Sequence, residues 1–472
     1  MLGKTKKIHF IGIGGIGMSG IAEFLHNQGL EICGSDMKKT EITSRLESLG
    51  ISINEGHDPD LVKDVDVVVK SSAVKDDNPE IVAAKALKIP VIRRAEMLAE
   101  ITRMSFSIGI SGTHGKTTST SMTGMVLEAA GLDPTVIVGG KVKNYGSNNV
   151  MGSGQYIVVE ADEYDHSFLT LTPCIAGITN VDTDHLDCYR NLEDIKGAFT
   201  EYANKVPFFG SVICCLDDPG VQSILPNINK RIVTYGFSRQ ADIQASNIRM
   251  QDLSAEYDVR YKDYNLGRIK MQITGRHNIQ NSLLAVGIGL ELDIPFEHIQ
   301  NGLREFNGVY RRFELKGEVE SITVYDDYAH HPTEIAATLD GFRESTKRRI
   351  VALFQPHLYS RTRDFYEQFG KSFFSCDCLI LAPIYPAREQ EIPGVSSKLI
   401  ADAAIQSGHH NVLLLESNAD IVPKTLSILQ PGDVLITMGA GNIWQYGEEI
   451  LGKLQKAIDK NSKAKKLSDL ET

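Results

Sequence analysis

The sequence predicts three α/β domains, each built on a mainly parallel sheet with helices on both faces. Three observations carry this expectation. The chain has 472 residues, about three domains' worth of length. Buried-strand patterns alternate with helical ones along most of it. And a passage of strand, glycine turn and helix occurs twice, once near residue 8 and again near residue 106.

The elements follow in order. Lys7 to Ile13 reads as a buried strand running into the turn GIGGIGMSG and an amphipathic helix near Ile21 to Gln28. Glu31 to Asp36 and Val65 to Ser72 read as further strands, and this first domain ends near Arg103. The second begins with Phe106 to Gly112 and continues through Tyr156 to Glu160 and Cys174 to Asn180, all strand patterns ending in polar residues. Residues 243–273 alternate as antiparallel strands do. A third domain starts near Tyr310, and its tail from Lys453, rich in Lys, Asp and Ser, reads as a fraying helix followed by disorder. The domains are placed at 1–105, 106–309 and 310–472.

Composition narrows the function. With 42% hydrophobic and 23% charged residues the chain is an ordinary globular protein rather than a disordered one. A net charge of −11 argues against broad nucleic-acid binding by phosphate neutralisation. It also sets a problem, because anionic substrates would need locally basic sites. Seven cysteines, an odd number placed mostly in apolar runs, suit reduced thiols packed as small hydrophobes in a cytosol. No apolar run reaches the ~18 residues of a membrane span, and the N-terminus leads into a strand rather than a cleavable signal. A cytoplasmic protein is expected.

The most informative stretch is GTHGKTT, Gly112-Thr113-His114-Gly115-Lys116-Thr117-Thr118. A glycine turn between strand and helix lets backbone N–H groups approach phosphates, and the helix N-terminus adds positive potential. Lys116 would reach the β- and γ-phosphates, and the Thr117 hydroxyl would ligate Mg2+. The ordinary phosphate-loop spacing wants glycine at Ile110, so this loop is a shortened variant. Glu160 ends a strand and opens a run of acidic residues, a clustering that a cation would relieve. Asp182 and Asp184 are either further acidic ligands or solvated turn and cap residues. His185 either ligates metal or orients a phosphate. The first turn, with Gly12, Gly14, Gly15, Gly17 and Asp36, fits a dinucleotide fingerprint, but a glycine turn cradles any pyrophosphate, including that of a UDP-sugar. Ser71, Ser72 and Asn144 are further UDP-sugar candidates.

Taken together, GTHGKTT, EADEYDHSFL, TNVDTDHLD, GRHNIQN, YRRFE, DDYAHHPTEI and FQPHLYSRTRD resemble the Mur ligases of peptidoglycan synthesis, in order along nearly the whole chain. The resemblance implies a Rossmann-like first domain for the UDP-sugar, a central P-loop-type ATPase domain and a Rossmann-like third domain for the amino acid. It implies ATP with Mg2+ (or Mn2+), UDP-N-acetylmuramate and L-alanine as ligands, no nucleic acid, no membrane span, and a monomer or weak homodimer. His277, Asn278 and Asn281 become adenine and ribose contacts. Arg312, beside Arg311, would swing onto the ATP phosphates. Glu160 and His185 would hold the metal with Thr117. Asp326, Asp327, Tyr328, His330, His331 and Glu334 line the start of the third domain, with Tyr328 and His330 at the amino acid and His330 placed near the amine. Arg361 would clamp the amino-acid carboxylate bidentately. The family's pattern can carry an arginine after the histidine of FQPH; Leu358 stands there in this chain.

The chemistry then expected joins a carboxylate to an amine. The sugar-acid carboxylate attacks the γ-phosphorus of ATP, ADP leaves, and the amine displaces phosphate from the acyl phosphate. Anions meet in both steps, so positioning and charge neutralisation by Lys116, Arg312, Arg361 and the metal dominate. Three rivals stand against this expectation. A nucleotide-dependent dehydrogenase explains only the first glycine turn. A regulatory NTPase leaves the third-domain motifs without a role. The nearest rival is a related ligase that attaches a recycled peptide to the same sugar.

Overall fold

Three sheets form in sequence order, as the alternating pattern predicts. The computed structural model describes residues 3–468 apart from 72, 184–187, 252 and 388. The first sheet contains β1 (Lys7–Ile11), β2 (Glu31–Asp36), β3 (Ser52–Glu55), β4 (Val67–Lys70) and β5 (Val91–Arg93). Their spatial order is β3-β2-β1-β4-β5, with every neighbouring pair parallel. The order reverses between β1 and β4, the switch point at which open α/β sheets bind ligands. The glycine turn 12–17 leaves β1 there and enters the helix Ile16–Asn27.

The second sheet has ten strands: β6 (Phe106–Ser111), β7 (Thr135–Val142), β8 (Ser147–Val150), β9 (Tyr156–Glu160), β10 (Ile175–Ile178), β11 (Ser211–Cys215), β12 (Ile232–Gly236), β13 (Ile243–Gln251), β14 (Ser254–Tyr261) and β15 (Tyr264–Met271). Their order is β15-β14-β13-β12-β11-β10-β6-β9-β7-β8. Parallel pairing runs without a break from β7 through β9, β6, β10, β11 and β12 to β13, and β8 adds an antiparallel edge. All five residues of β11 are buried, as a strand with both faces covered requires.

The third sheet holds β16 (Glu314–Val319), β17 (Ile322–Asp327), β18 (Ile350–Phe354), β19 (Cys378–Leu381), β20 (Val412–Leu414) and β21 (Val434–Met438). Its order is β16-β17-β21-β18-β19-β20, antiparallel only at β16. β17, β18 and β21 are buried along their whole length, so their carboxyl ends lie side by side under helices. The helix Ile443–Ser468 carries the charged tail well past Lys453, further as a helix than its composition predicts.

The chain divides into two compact units. One is Met1–Asn247 with Tyr257–Lys270 and Gln280–Phe306; the other is Ile248–Glu256 with Met271–Ile279 and Asn307–Thr472. In the first, the core runs from Ile8, Phe10 and Met18 to Phe168, Phe199 and Tyr202. In the second, Phe342, Phe354, Phe369 and Phe373 fill one face of the third sheet, and Val351, Leu353, Leu435 and Ile443 fill the other. The seven cysteines are free thiols. Burial pushes the Cys215 and Cys376 thiols up to about 12, so they are inert packing groups. Among the described residues no helix is long and apolar enough to cross a membrane.

Candidate active site

The loop after β6 is built so that two of its positions exclude a side chain. Gly112 has φ 138°, and a Cβ there would collide with the Thr179 hydroxyl; Gly115 has φ 83°, and a Cβ there would collide with Asn281. Ile110 lies inside β6 and is fully buried, which is why the turn starts at Gly112. The end of β10 fastens the loop. Asn180 Oδ1 accepts the His114 N–H at 2.8 Å, and the His114 carbonyl accepts from Thr179 Oγ1 at 2.6 Å and Asn180 Nδ2 at 2.9 Å. Thr113 Oγ1 accepts the Asp182 N–H at 2.9 Å, while the Asp182 carboxylate caps the Thr183 N–H at 2.7 Å in its own turn. The helix Lys116–Ala129 starts directly after Gly115, so the unpaired N–H groups of its first turn, through Thr118, border the loop.

Lys116 Nζ turns back over the loop to the carbonyls of Gly112 (2.7 Å) and Thr113 (3.2 Å), and it pairs with both oxygens of Glu163 at 3.0 and 2.7 Å. Burial works against its charge, but the carboxylates of Glu163, Asp162 and Glu160 hold its pKa above the usual lysine value. Glu163 sits in the acidic run that the sequence offers as a metal cluster. Its partnership with Lys116 is invisible there, because it requires the chain to turn after β9. The Thr117 hydroxyl lies 3.0 Å from each oxygen of Glu160, and Glu160 also accepts the Gly139 N–H at 2.7 Å. Burial raises the Glu160 pKa, with Lys116 opposing. A hydroxyl and a half-buried carboxylate converging at this spacing are hard oxygen donors, the set Mg2+ prefers. His185 and Asp184 lie outside the described residues.

At the first turn, Gly14 N–H donates to Asp36 Oδ2 at 2.9 Å, so Asp36 holds the glycine loop in shape. Arg94 packs against Gly17, and Ser71 lies against Gly12. Gly15 is the N-cap of the following helix. Ser72 lies outside the described residues. Asn144 Nδ2 donates to the Glu305 carbonyl at 2.7 Å, closing the end of the helix Phe296–Glu305.

The helix Arg276–Glu291 carries His277, Asn278 and Asn281. Asn278 is buried and donates to the Thr274 carbonyl at 2.7 Å. Burial, then the charge of Arg312, lowers the His277 pKa to about 4, so the ring is neutral near pH 7. Arg312 pairs with Glu334 at 3.3 Å and lies over the Tyr328 ring, its Cζ 5.3 Å from the centroid. Arg311 takes a different role from its neighbour: it pairs with buried Asp326 at 3.0 Å and donates to the Gly439 carbonyl at 2.7 Å. Asp327 accepts N–H groups from Phe313 and Ala329, both at 2.8 Å, and burial pushes its pKa up to about 6. His330 Nδ1 faces the Tyr328 carbonyl at 3.0 Å and Glu334 at 3.3 Å, both acceptors, so that nitrogen carries the proton. His331 caps the helix Pro332–Ser345. The connection after β18 brings His357 within 6.1 Å of the His330 ring, and Arg361 close enough to depress the His357 pKa. Sequence reasoning singled out Leu358 and Arg361 and passed over His357 directly before them. Its place after a buried strand, at the carboxyl edge of a parallel sheet, was the available signal.

Three parallel-rich α/β sheets, with a glycine loop that gathers a lysine, a threonine and a strand-end glutamate, define a nucleotide-phosphate enzyme of the P-loop type. Family profiles resolve the class. Residues 7–105 match the Mur ligase family, catalytic domain; residues 110–289 the Mur ligase middle domain; and residues 311–441 the Mur ligase, glutamate ligase domain. The chain is 50% identical over 459 residues to UDP-N-acetylmuramate–L-alanine ligase of Geobacter sulfurreducens, covering 97% of this chain and 99% of that one. It is 50% identical over 456 residues to the enzyme of the same name from Salinibacter ruber, covering 96% of each. Among solved structures, the UDP-N-acetylmuramate-alanine ligase MurC of Thermotoga maritima superimposes with a TM-score of 0.77 at 29% identity, over 96% of this chain and 99% of that one. A murein peptide ligase of Psychrobacter arcticus shares the fold, with a TM-score of 0.67 at 24% identity over 95% and 98%. The chain belongs to the Mur ligase family.

Proposed function

We propose that the chain is a UDP-N-acetylmuramate–L-alanine ligase, forming an amide between the lactyl carboxylate of the nucleotide sugar and L-alanine with hydrolysis of ATP, in peptidoglycan precursor synthesis. The near-full-length likeness to the two curated ligases carries this reading, and the geometry of the loop after β6 supports it. Lys116, the loop amides and Arg312 neutralise the ATP phosphates while the sugar carboxylate attacks the γ-phosphorus and ADP departs. Thr117 and Glu160, with His185, would hold Mg2+, which would supply positive charge at the phosphates. The alanine amine then attacks the acyl carbon, phosphate leaves, and a proton is lost from nitrogen. His330 stands near the amine, to orient it or accept its proton. Tyr328 borders this position, and Arg361 binds the alanine carboxylate. The first glycine turn, 12–17 with Asp36, Ser71 and Ser72, takes the UDP pyrophosphate and sugar. His277, Asn278 and Asn281 take the adenosine. The domains are assigned as 1–105, 106–309 and 310–472, and the enzyme works in the cytoplasm as a monomer or weak homodimer.

The test supplies ATP, Mg2+ and UDP-N-acetylmuramate with L-alanine, glycine, L-serine or a recycled tripeptide in separate reactions, and reads the products by mass spectrometry. Alanine is expected to be joined fastest. Glycine differs by one methyl, worth about 1–3 kcal/mol of discrimination, so it follows at about 10- to 200-fold lower kcat/KM. A product from the tripeptide and none from alanine makes the chain the recycling ligase instead.

A further inference from the structure

Beneath the first glycine turn lies a carboxylate that takes no part in the chemistry described above. Glu80 stands in the first turn of the helix Pro79–Ala86, where the Asn78 side chain accepts its N–H at 2.9 Å. The residue is 0% exposed. A carboxylate taken out of water is costly unless donors fill its oxygens, and in Glu80 both are filled. Oε2 accepts from His9 Nε2 at 2.9 Å and from the Ser35 hydroxyl at 2.8 Å. Oε1 accepts from the Asp58 N–H at 3.0 Å and from His57 Nδ1 at 3.2 Å. Burial works against its ionisation, but the hydrogen bonds of His9 and Ser35 outweigh it and hold the carboxyl below its usual pKa. An ionised carboxylate only accepts, so His9 carries a proton on Nε2 and His57 one on Nδ1.

These donors come from separate parts of the first sheet. His9 is in β1, Ser35 is the next-to-last residue of β2, and His57 and Asp58 follow β3. One carboxylate therefore ties three neighbouring strands to the helix that follows β4. Ser35 is the link onward to the turn. Its hydroxyl is held by Glu80, while its carbonyl accepts the N–H groups of Gly12 at 2.8 Å and Ile13 at 3.1 Å. The next residue, Asp36, accepts the Gly14 N–H at 2.9 Å. The end of β2 thus fixes where the glycine N–H groups lie, and Glu80 fixes where the end of β2 lies.

The structure assigns Glu80 as a positioning residue for the pyrophosphate of the nucleotide sugar: through Ser35 it sets the course of the first glycine turn without touching the ligand. This rests on the reading of the turn 12–17 as the UDP site. A role through charge alone has the opposite sign. A negative charge buried one residue away from the turn repels a pyrophosphate, so removing it with the turn unmoved tightens binding. Removing it together with the hydrogen bonds that place Ser35 weakens binding instead.

Calorimetric titration of the full chain with UDP, UMP and UDP-N-acetylmuramate is the test, and the wild type is measured first. If it binds neither UDP nor the UDP-sugar, the site reading falls and this inference with it; normal wild-type binding with unaffected variants overturns this inference alone. Glu80→Gln keeps the volume but sets an NH2 group against the donors at one oxygen. Ser35→Ala removes the hydroxyl link and leaves the carbonyl that holds Gly12 and Ile13. Each variant is expected to weaken UDP and UDP-N-acetylmuramate by roughly tenfold, the lower end of what a hydrogen bond to a charged group is worth. UMP, with one phosphate fewer, loses less, so the preference for UDP over UMP falls in both variants. KM for ATP and for L-alanine stays near wild type, which a general loosening of the fold would not allow. The double variant Ser35→Ala/Glu80→Gln binds UDP within about threefold of the weaker single variant, because both changes cut one link. Ser35→Ala loses a single hydroxyl and decides the matter by itself if Glu80→Gln does not fold. Tighter UDP binding in Glu80→Gln, unchanged UDP affinity in Ser35→Ala, an equal loss for UMP and UDP, or losses that multiply in the double variant overturn the proposal.

Discussion

Replacing Lys116 with methionine keeps the stem's volume and removes the charge, and its cost follows from what Lys116 touches. Its ammonium lies 2.7 Å from Glu163, whose side chain is 2% exposed while that of Lys116 is 12% exposed. Without the ammonium that pairs with it, Glu163 would be left as a buried charge, a situation that typically costs about 3–5 kcal/mol. The structure also sets a ceiling, because a stranded carboxylate escapes by taking a proton. At pH 7 that escape costs about 1.4 × (7 − 4.3), or about 4 kcal/mol; at pH 5 it costs about 1 kcal/mol. In the variant the folded pKa of Glu163 is raised above its unfolded value. The penalty is therefore absent at low pH and grows as pH rises above about 4. Urea unfolding at pH 7 and pH 5 should show Lys116→Met destabilised by about 3–4 kcal/mol at the first pH and about 1 kcal/mol at the second. Adding Glu163→Gln should restore most of the stability at pH 7. It should restore none of the turnover, which falls about 10²–10³-fold or more for want of a cation on the phosphates. A Lys116→Met protein as stable as wild type at pH 7, or a double variant that regains phosphate release, refutes the reasoning.

Two further outcomes follow from the same geometry. Glu160→Gln keeps the shape beside Thr117 but weakens the donor, so apparent Mg2+ affinity should fall by at least about tenfold and excess Mg2+ should partly restore activity. An unchanged Mg2+ dependence would move the metal to Asp182 or Asp184. The second outcome concerns pH and stability. His277 and His357 have folded pKa values of about 4, below the usual 6.5, so the unfolded chain binds more protons between those limits. Stability should be full above pH 6.5 and decline as pH falls toward 4, by about 2 kcal/mol per ring between pH 7 and 5. The double variant His277→Gln/His357→Gln should show a shallower decline over that window in unfolding measurements, and an identical slope would show that the rings are not buried neutral.

How much of this was legible in the chain depended on whether the cause was local. The parallel sheets were readable because β11, β17, β18 and β21 are buried on both faces, and a doubly covered strand is written as a largely apolar run, interrupted in β17 by Thr323 and its terminal Asp326 and Asp327. The loop 112–118 was readable because positive φ at Gly112 and Gly115 and a helix start are short-range demands. Its shortened spacing shows as Ile110 filling the strand core instead of the turn. What the chain hid were partnerships across long separations. The Lys116–Glu163 pair spans 47 residues, and the clamp of Asn180 on His114 spans 66. Arg311 and Arg312 are adjacent and look alike, yet one is tied to Asp326 and Gly439 and the other to Glu334 and the face of Tyr328. Only the direction of each side chain separates an anchor from a ligand group.

The charge problem set by the composition has a related answer. A chain of net charge −11 does not present free cations to its substrates, because each proposed phosphate-facing cation already has a carboxylate neighbour. Lys116 is held by Glu163, and Arg312 by Glu334. Such pairs keep the cations charged and in place despite burial, as the raised pKa values of both show. They also make phosphate binding an exchange of one anion for another rather than the filling of a bare positive pocket. An exchange discriminates: a monoanion gains little over the resident carboxylate, whereas a polyphosphate accompanied by a divalent cation brings more charge than it displaces. On the proposed function, the acidic surroundings would favour a metal–nucleotide complex over the many simpler anions of a cell.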